Sequence, residues 1–138
     1  MGIFTTCLVG MIDTKKNTMT VSNAGHYSPI VIKKDACIKR DLNCKKGIPI
    51  GVLENVTYKN NVLNLDECSM VCMYTDGILE IKNKLKEEYG VSRLESFMKK
   101  NYTYSQERII ENLKAELKEF SERENYDDDI LIVMLKNN

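Results

Sequence analysis

The first half of the chain alternates between apolar and polar residues with a period of two, the pattern of strands that bury one face. Phe4 to Asp13 and Thr18 to Asn23 flank the turn-forming residues 14–17, so they predict a β-hairpin. The same pattern predicts further strands at Ile30 to Ile32, in a segment that ends near Arg40, at Thr57 to Leu65 and at Ser69 to Thr75. This half is therefore predicted to be antiparallel β structure.

After Gly77 the apolar residues change to helical spacing. Ser92 with Glu95 fits a capping box and predicts the start of a short helix. Ser105 is placed to cap a longer helix with one apolar face, formed by Ile109, Ile110, Leu113, Leu117 and Phe120. The closing apolar run, Ile130 to Leu135, predicts a buried strand.

Composition and charge exclude several classes of protein. The 138 residues are 43% hydrophobic and 29% charged, which suits one globular domain spanning residues 1–138. Twenty basic residues balance twenty acidic ones, so nothing in the net charge favours nucleic acid or an anionic membrane. No apolar run approaches the roughly 18 residues of a membrane span, and direct membrane contact is not expected. The five cysteines lack zinc or redox spacing, which predicts reduced thiols in the cytoplasm: Cys7, Cys37, Cys44, Cys68 and Cys72.

Acidic residues stand at the ends of two strongly apolar strands. Asp76 follows the strand that ends at Thr75, and Gly77 behind it lets the backbone turn sharply. The triplet 127–129 directly precedes the closing strand. If these two strands are antiparallel neighbours, Asp76 meets the triplet, and the carboxylates repel one another unless a cation offsets their charge. Oxygen-only ligands favour Mg²⁺ or Mn²⁺.

Simpler interpretations of the same residues stay open. Asp76-Gly77 is also a common turn dipeptide, and the acidic triplet also suits a polar break before a strand, as in a small β domain without a metal. His26 is the only histidine, which excludes multi-histidine metal sites. A lone histidine in a turn is more often a hydrogen-bonding loop residue than a catalyst or a ligand.

Six short motifs stand in the order found in one family. The motifs are Phe4-Thr5-Thr6, Asn23-Ala24-Gly25-His26 with Pro29, Gly47 to Val52, Tyr74 to Glu80, Tyr89-Gly90 and Asp128-Asp129-Ile130. With these motifs the chain resembles the SpoIIE/RsbU-like branch of the PPM metal-dependent serine/threonine phosphatases. Each is weak alone, but together they extend over nearly the whole chain.

The resemblance implies an α+β fold, in which an antiparallel β-sandwich is flanked by helices. It also implies a centre of two Mn²⁺ or Mg²⁺ ions, with Asp76 and Asp128 as ligands to one metal and a metal-activated water as nucleophile. No protein side chain is assigned a certain catalytic role. Residues expected around the ligands are Thr75, Gly77 and Asp129, and those expected in an active-site loop are Asn23, Gly25 and His26.

The resemblance further implies a phosphoserine or phosphothreonine protein as substrate, of the small anti-anti-sigma type. The family's Asp-x-x-Gly-His-Gly element, which supplies a bridging carboxylate, has no counterpart here. We therefore expect the C-terminal portion of a phosphatase domain, truncated on its N-terminal side, that binds metal weakly and is inactive alone. Open sheet or helix surfaces are expected to favour a homodimer. The alternative is a noncatalytic module that binds a signalling protein in a sigma-factor or sporulation system.

Overall fold

Seven strands form two antiparallel sheets in the part of the chain that the computed structural model describes, namely residues 2–39, 47–122, 126 and 128–137. The first sheet contains β1 (Cys7–Asp13), β2 (Thr18–Ala24) and β5 (Asn60–Asn64), in the order β1-β2-β5. The second contains β3 (Ile30–Lys33), β4 (Ile38–Lys39), β6 (Cys68–Tyr74) and β7 (Ile132–Lys136), in the order β4-β3-β6-β7.

The two sheets pack face to face, and two helices cover the far side of the second sheet. Met19, Val21 and Leu63 of the first sheet pack against Val31 and Val71 of the second. The alternate residues of β3 and β6 face α1 (Gly90–Asn101) and α2 (Gln106–Ser121). The helices contribute Leu94, Phe97, Met98, Ile109, Leu113 and Leu117 to this second core. The α+β sandwich with flanking helices is therefore confirmed.

The predicted hairpin forms, although its first strand is shorter than the sequence pattern indicated. β1 pairs with β2 from Cys7 opposite Ala24 to Asp13 opposite Thr18. The Asp13 carboxylate closes the turn by accepting the backbone N–H groups of Lys15 and Lys16, each at 3.0 Å. The prediction that the strand begins at Phe4 was wrong, because residues before Cys7 leave this ladder and Thr5 pairs with Ile50 instead.

The two helices begin in different ways. The Ser105 hydroxyl accepts the N–H of Arg108 at 3.3 Å, so the predicted cap of α2 is confirmed. The capping box predicted at Ser92 was wrong, because α1 already begins at Gly90 and has no side-chain cap. Its start is fixed by backbone pairing with the preceding loop: the Gly90 N–H donates to the Leu79 carbonyl at 3.0 Å, and the Tyr89 N–H to the Ile81 carbonyl at 2.8 Å.

Apolar side chains also lie on the outer face of the first sheet. Val9, Met11 and Val62 are 57%, 65% and 68% exposed. Homodimer formation through such surfaces stays a prediction. Within the residues described, no helix is long and apolar enough to cross a lipid bilayer.

The described cysteines are free thiols in contrasting environments. Cys68 and Cys72 are buried, Cys7 is half-buried and Cys37 is exposed, while Cys44 lies outside the described residues. Burial raises the pKa of the Cys72 thiol to about 12. Burial is also the main cause that raises the pKa of Tyr74 to about 12, and it raises the pKa of Tyr89, whose hydroxyl donates to Glu116.

These raised pKa values predict that the fold loses stability in alkali. The unfolded thiol and phenols ionise near their ordinary pKa values of 9.0 and 10.0, while the folded ones stay protonated toward pH 12. The contribution of these groups to the free energy of unfolding should therefore be level below about pH 9 and then fall, by up to about 1.4 kcal/mol per pH unit for each group. Urea unfolding under reducing conditions measures this slope. Cys72→Ala should make it shallower, and a level profile up to about pH 11 would contradict the prediction.

Candidate metal centre

The candidate centre lies where β6 ends beside the start of β7. The two strands are antiparallel neighbours, and their last ladder pair is Tyr74 opposite Ile132. Pairing continues one residue further, because the Thr75 N–H donates to the Leu131 carbonyl and the Leu131 N–H donates to the Thr75 hydroxyl, both at 3.1 Å. Asp76 was predicted to meet the acidic segment if these two strands are antiparallel neighbours, and they are.

Gly77 allows the two acidic segments to approach closely. A Cβ atom at this position would lie 2.4 Å from the Asp129 carbonyl oxygen and 3.6 Å from the Asp128 Cβ. The backbone does turn at Gly77, but without a positive φ, so the turn does not need the conformational freedom of glycine and the close approach of Asp129 is what requires it. Asp76 opens a short 3₁₀ turn, Asp76–Ile78, whose first carbonyl accepts the Leu79 N–H at 2.7 Å.

Local hydrogen bonds hold the Asp128 and Asp129 backbone in place. The Thr75 hydroxyl donates to the Asp129 carbonyl at 3.3 Å, and the Asp129 N–H donates to the Asp128 carboxylate at 2.8 Å. Asp127, the remaining member of the triplet, lies outside the described residues. Thr75, Gly77 and Asp129, which were expected around the ligands, thus all lie at the contact between the two strand ends.

The donor atoms fit a hard divalent cation in kind but are few in number. Asp76, Asp128 and Asp129 are exposed, and none forms an ion pair with a lysine or arginine of the described residues. Carboxylate oxygens are the ligands that Mg²⁺ and Mn²⁺ prefer. The described residues hold no group of three or more His, Cys, Asp or Glu side chains arranged to bind a metal. Two carboxylates would need water, a phosphate or further protein ligands to complete the coordination.

The loop containing Asn23, Gly25 and His26 reaches the same end of β6. The buried Asn23 side chain closes this loop in both directions, donating to the His26 carbonyl at 3.0 Å and accepting the His26 N–H at 2.8 Å. Gly25 has a φ of 79°, which favours glycine. The His26 ring contacts the Tyr74 carbonyl and the Thr6 hydroxyl, each at 3.1 Å. It is therefore hydrogen-bonded to the strand that carries Asp76.

Sequence reasoning did not assign any role to Thr6. The residue lies 20 positions before His26, so spacing alone gave no sign that the two side chains meet. The only signal was its place in the Phe4-Thr5-Thr6 motif.

A groove also runs along one side of the candidate centre. It lies between α2 and the segment that leads into β7, with a volume of about 730 Å³. Leu113, Leu117 and Ile130 are among its apolar lining residues, and its charged ones are Lys114, Asp128 and Asp129. Asp128 and Asp129 therefore line the same groove as apolar residues of α2.

Comparison with solved structures identifies the class of fold. The SiaA-PP2C domain of Pseudomonas aeruginosa matches with a TM-score of 0.80 and 17% identity, over 96% of this chain and 52% of that one. The SpoIIE phosphatase domain of Bacillus subtilis, from manganese-presoaked material, matches with a TM-score of 0.65 and 20% identity, over 96% and 56%. The protein therefore has the fold of PP2C-type phosphatase domains.

The sequence comparison then gives the family. The family model for stage II sporulation protein E (SpoIIE) matches residues 2–138, so the chain belongs to the SpoIIE family. Protein IcfG of Synechocystis sp. is 32% identical over 117 residues, which is 85% of this chain and 18% of IcfG. The chain thus spans about half of the matched phosphatase domains and under a fifth of IcfG.

Proposed function

We propose that this chain is the C-terminal portion of a metal-dependent serine/threonine protein phosphatase domain, and that it supplies two of the metal-binding carboxylates. The observation that carries the proposal is the tight contact of Gly77 with Asp129, which brings Asp76 and Asp128 to adjacent strand ends. Membership of the SpoIIE family and the PP2C-type fold support the phosphatase activity.

In the complete domain, Asp76 and Asp128 would hold a Mn²⁺ or Mg²⁺ ion. Bound ions of this kind supply activation of the attacking water and screening of the phosphoryl charge. This chain's own residues keep the two carboxylates in place: Thr75 joins the strand ends, and Gly77 lets the backbones approach. No covalent bond between enzyme and phosphate is required.

The proposed substrate is a cytoplasmic phosphoprotein of the anti-anti-sigma type. Membership of the SpoIIE family supports this class. The groove beside Asp128 supports a polypeptide substrate, because its apolar walls offer a surface for residues that flank the phosphorylated side chain.

The test compares this chain with one extended upstream to the full length of the related phosphatase domains. We expect Mn²⁺-dependent hydrolysis of a generic phosphoester by the extended chain alone, because two carboxylates and water make a poor site for a divalent cation. Activity should follow the concentration of Mn²⁺ and disappear when a chelator is added. Hydrolysis by the short chain would contradict its proposed inactivity, and hydrolysis by neither chain would count against the phosphatase.

A noncatalytic module that binds a signalling protein is the second candidate, and one observation favours it. Ile3, Phe4, Val52 and Leu53 are between 49% and 95% exposed, and the Thr5–Ile50 bridge places their two segments side by side. Such a surface suits contact with another protein. If the extended chain binds its phosphoprotein but leaves the phosphate intact at saturating Mn²⁺, this candidate replaces the phosphatase.

A further inference from the structure

Three segments that are distant in sequence meet at the imidazole ring of His26. Thr6 precedes β1, His26 follows β2, and Tyr74 is the last residue of β6. The ring nitrogen Nδ1 lies 3.1 Å from the Thr6 hydroxyl, and Nε2 lies 3.1 Å from the Tyr74 carbonyl oxygen. Since Thr6 and His26 flank the first sheet and Tyr74 belongs to the second, the ring joins the two sheets at the end that carries Asp76.

The partners of the ring determine its tautomer. A carbonyl oxygen only accepts hydrogen bonds, so Nε2 must carry the hydrogen that it donates to Tyr74. A neutral imidazole has a single N–H group, and Nδ1 is therefore an acceptor for the Thr6 hydroxyl. Loss of that hydroxyl would leave Nδ1 without its hydrogen-bond donor, whereas the Tyr74 carbonyl would still require a hydrogen on Nε2.

The Tyr74 carbonyl needs this donor because it lies beyond the end of its own ladder. β3 begins at Ile30, which pairs with Cys72, so no residue of β3 lies opposite Tyr74. Thr75, the next residue, directs its N–H toward β7, which leaves the Tyr74 carbonyl on the β3 side. Tyr74 is only 4% exposed, and a buried carbonyl without a partner costs free energy. The His26 ring therefore replaces the strand that is missing at this point.

The loop that carries His26 is itself held firmly. Asn23 closes it through two reciprocal hydrogen bonds with the His26 backbone. A Cβ atom on Gly25 would lie 2.7 Å from Pro49, so the loop packs closely against the segment around Pro49. The centroids of the Tyr27 and Tyr74 rings are 6.1 Å apart. This ring contact adds to the hydrogen bond between the His26 ring and the Tyr74 carbonyl. The imidazole thus reaches β6 from a fixed base.

We propose that His26 is a positioning residue that, together with Thr6, fixes the end of β6 and so places Asp76 beside Asp128. β6 is then held on both sides just before the acidic residue, by His26 on the β3 side and by Leu131 on the β7 side. The expected effect on Mn²⁺ binding rests on the proposed function. The His26 tautomer and the position of the end of β6 do not. His26 contacts neither carboxylate and is assigned no catalytic role.

Nuclear magnetic resonance of the metal-free chain tests the positioning at mildly alkaline pH, where histidines are generally neutral. The ¹⁵N shifts of the His26 ring should show a protonated Nε2 and an unprotonated Nδ1. Thr6→Val removes the hydroxyl but keeps the shape, so it should shift the ¹⁵N signal of Nδ1, which loses its hydrogen-bond donor, and move the Asp76 and Gly77 amide signals. Thr6→Ser keeps the hydroxyl and should restore both.

Mn²⁺ titration of the same variants, made in the upstream-extended chain, adds a second readout. We expect Thr6→Val to weaken Mn²⁺ binding about tenfold and His26→Gln, which retains an N–H donor, to weaken it less. Asn17→Ala is the control, because it removes the Asn17–Asp66 hydrogen bond at the turn at the other end of the hairpin and disturbs a residue at positive φ. That variant should lose stability while keeping the Asp76 signals and the Mn²⁺ affinity of the parent chain.

The outcomes separate this inference from the proposed function. A protonated Nδ1, a mixture of tautomers in the parent chain, or unchanged Asp76 and Gly77 signals in Thr6→Val would overturn the positioning role. So would a Mn²⁺ affinity that falls equally in Asn17→Ala, because the effect would then follow stability alone. If the metal-free chain shows the expected tautomer but the upstream-extended parent chain binds no Mn²⁺, the positioning role is supported and only the metal site is contradicted.

Discussion

Replacing Asp76 by Asn in the upstream-extended chain is expected to lower Mn²⁺-dependent phosphatase activity by about a hundredfold or more. Asparagine keeps the size of the side chain but loses the negative charge that attracts a divalent cation. Asp76 is exposed and has no cationic partner among the described residues, so its charge is available to attract a metal ion. Initial rates on a generic phosphoester over a range of Mn²⁺ concentrations measure the effect.

A matched control separates the local effect from the general effect of removing a negative charge. Asp66 is also exposed, but it lies near the opposite end of the sandwich and accepts a hydrogen bond from Asn17. Asp66→Asn should leave the activity close to that of the parent chain. If Asp76→Asn is as active as Asp66→Asn and the parent chain, Asp76 is not a metal ligand. Asp76 would then be only a turn residue at the end of β6.

Much of the fold followed from local patterns because those patterns reflect burial. β3 shows a continuous apolar run, Ile30 to Ile32, and all three residues are buried because the strand lies between the first sheet and the helices. The apolar stripe of α2 was also informative, since Ile109, Leu113 and Leu117 are buried in one core and Phe120 packs against it, although Ile110 does not belong to it. In both cases a single physical cause, burial of one or both faces, fixes the pattern and the structure alike.

Helix starts were less predictable, because different interactions satisfy the same backbone groups. Ser105 caps α2 as its side chain indicated. Ser92 carries the same signal, yet α1 starts two residues earlier, where Tyr89 and Gly90 pair with Ile81 and Leu79. That pairing requires the loop between Ile81 and Tyr89 to fold back on itself. The three-residue spacing of Ser92 and Glu95 gives no information about this loop.

The candidate site was predictable only in part for a similar reason. That Asp76 and the acidic triplet stand at strand ends is visible in the sequence, but their contact depends on β6 and β7 being neighbours. The sequence suggested that Gly77 is glycine because the backbone turns there, whereas the structure shows that glycine leaves space for the Asp129 carbonyl. The Thr6 contact with His26 was invisible, because it joins residues on different segments through side chains.

Gly77→Ala is expected to destabilise the fold by about 1–3 kcal/mol and to weaken Mn²⁺ binding about tenfold. The added methyl group would lie 2.4 Å from the Asp129 carbonyl oxygen, so one of the two backbones must move. Thr75 holds that same carbonyl through its hydroxyl, and the movement would disturb this bond as well. Urea unfolding measures the first effect and Mn²⁺ titration the second.

Gly10→Ala provides the control, because its added methyl group would clash at a similar distance but with a side chain instead of the backbone. A Cβ atom on Gly10 would lie 2.3 Å from the terminal methyl group of Met19, a flexible side chain that can move aside. We therefore expect a smaller loss of stability and no change in Mn²⁺ affinity. Equal effects of the two substitutions on Mn²⁺ affinity would show that the contact at Gly77 does not place the carboxylates. The distinction matters because the proposed site depends on how closely two strand ends approach as much as on the acidic residues they carry.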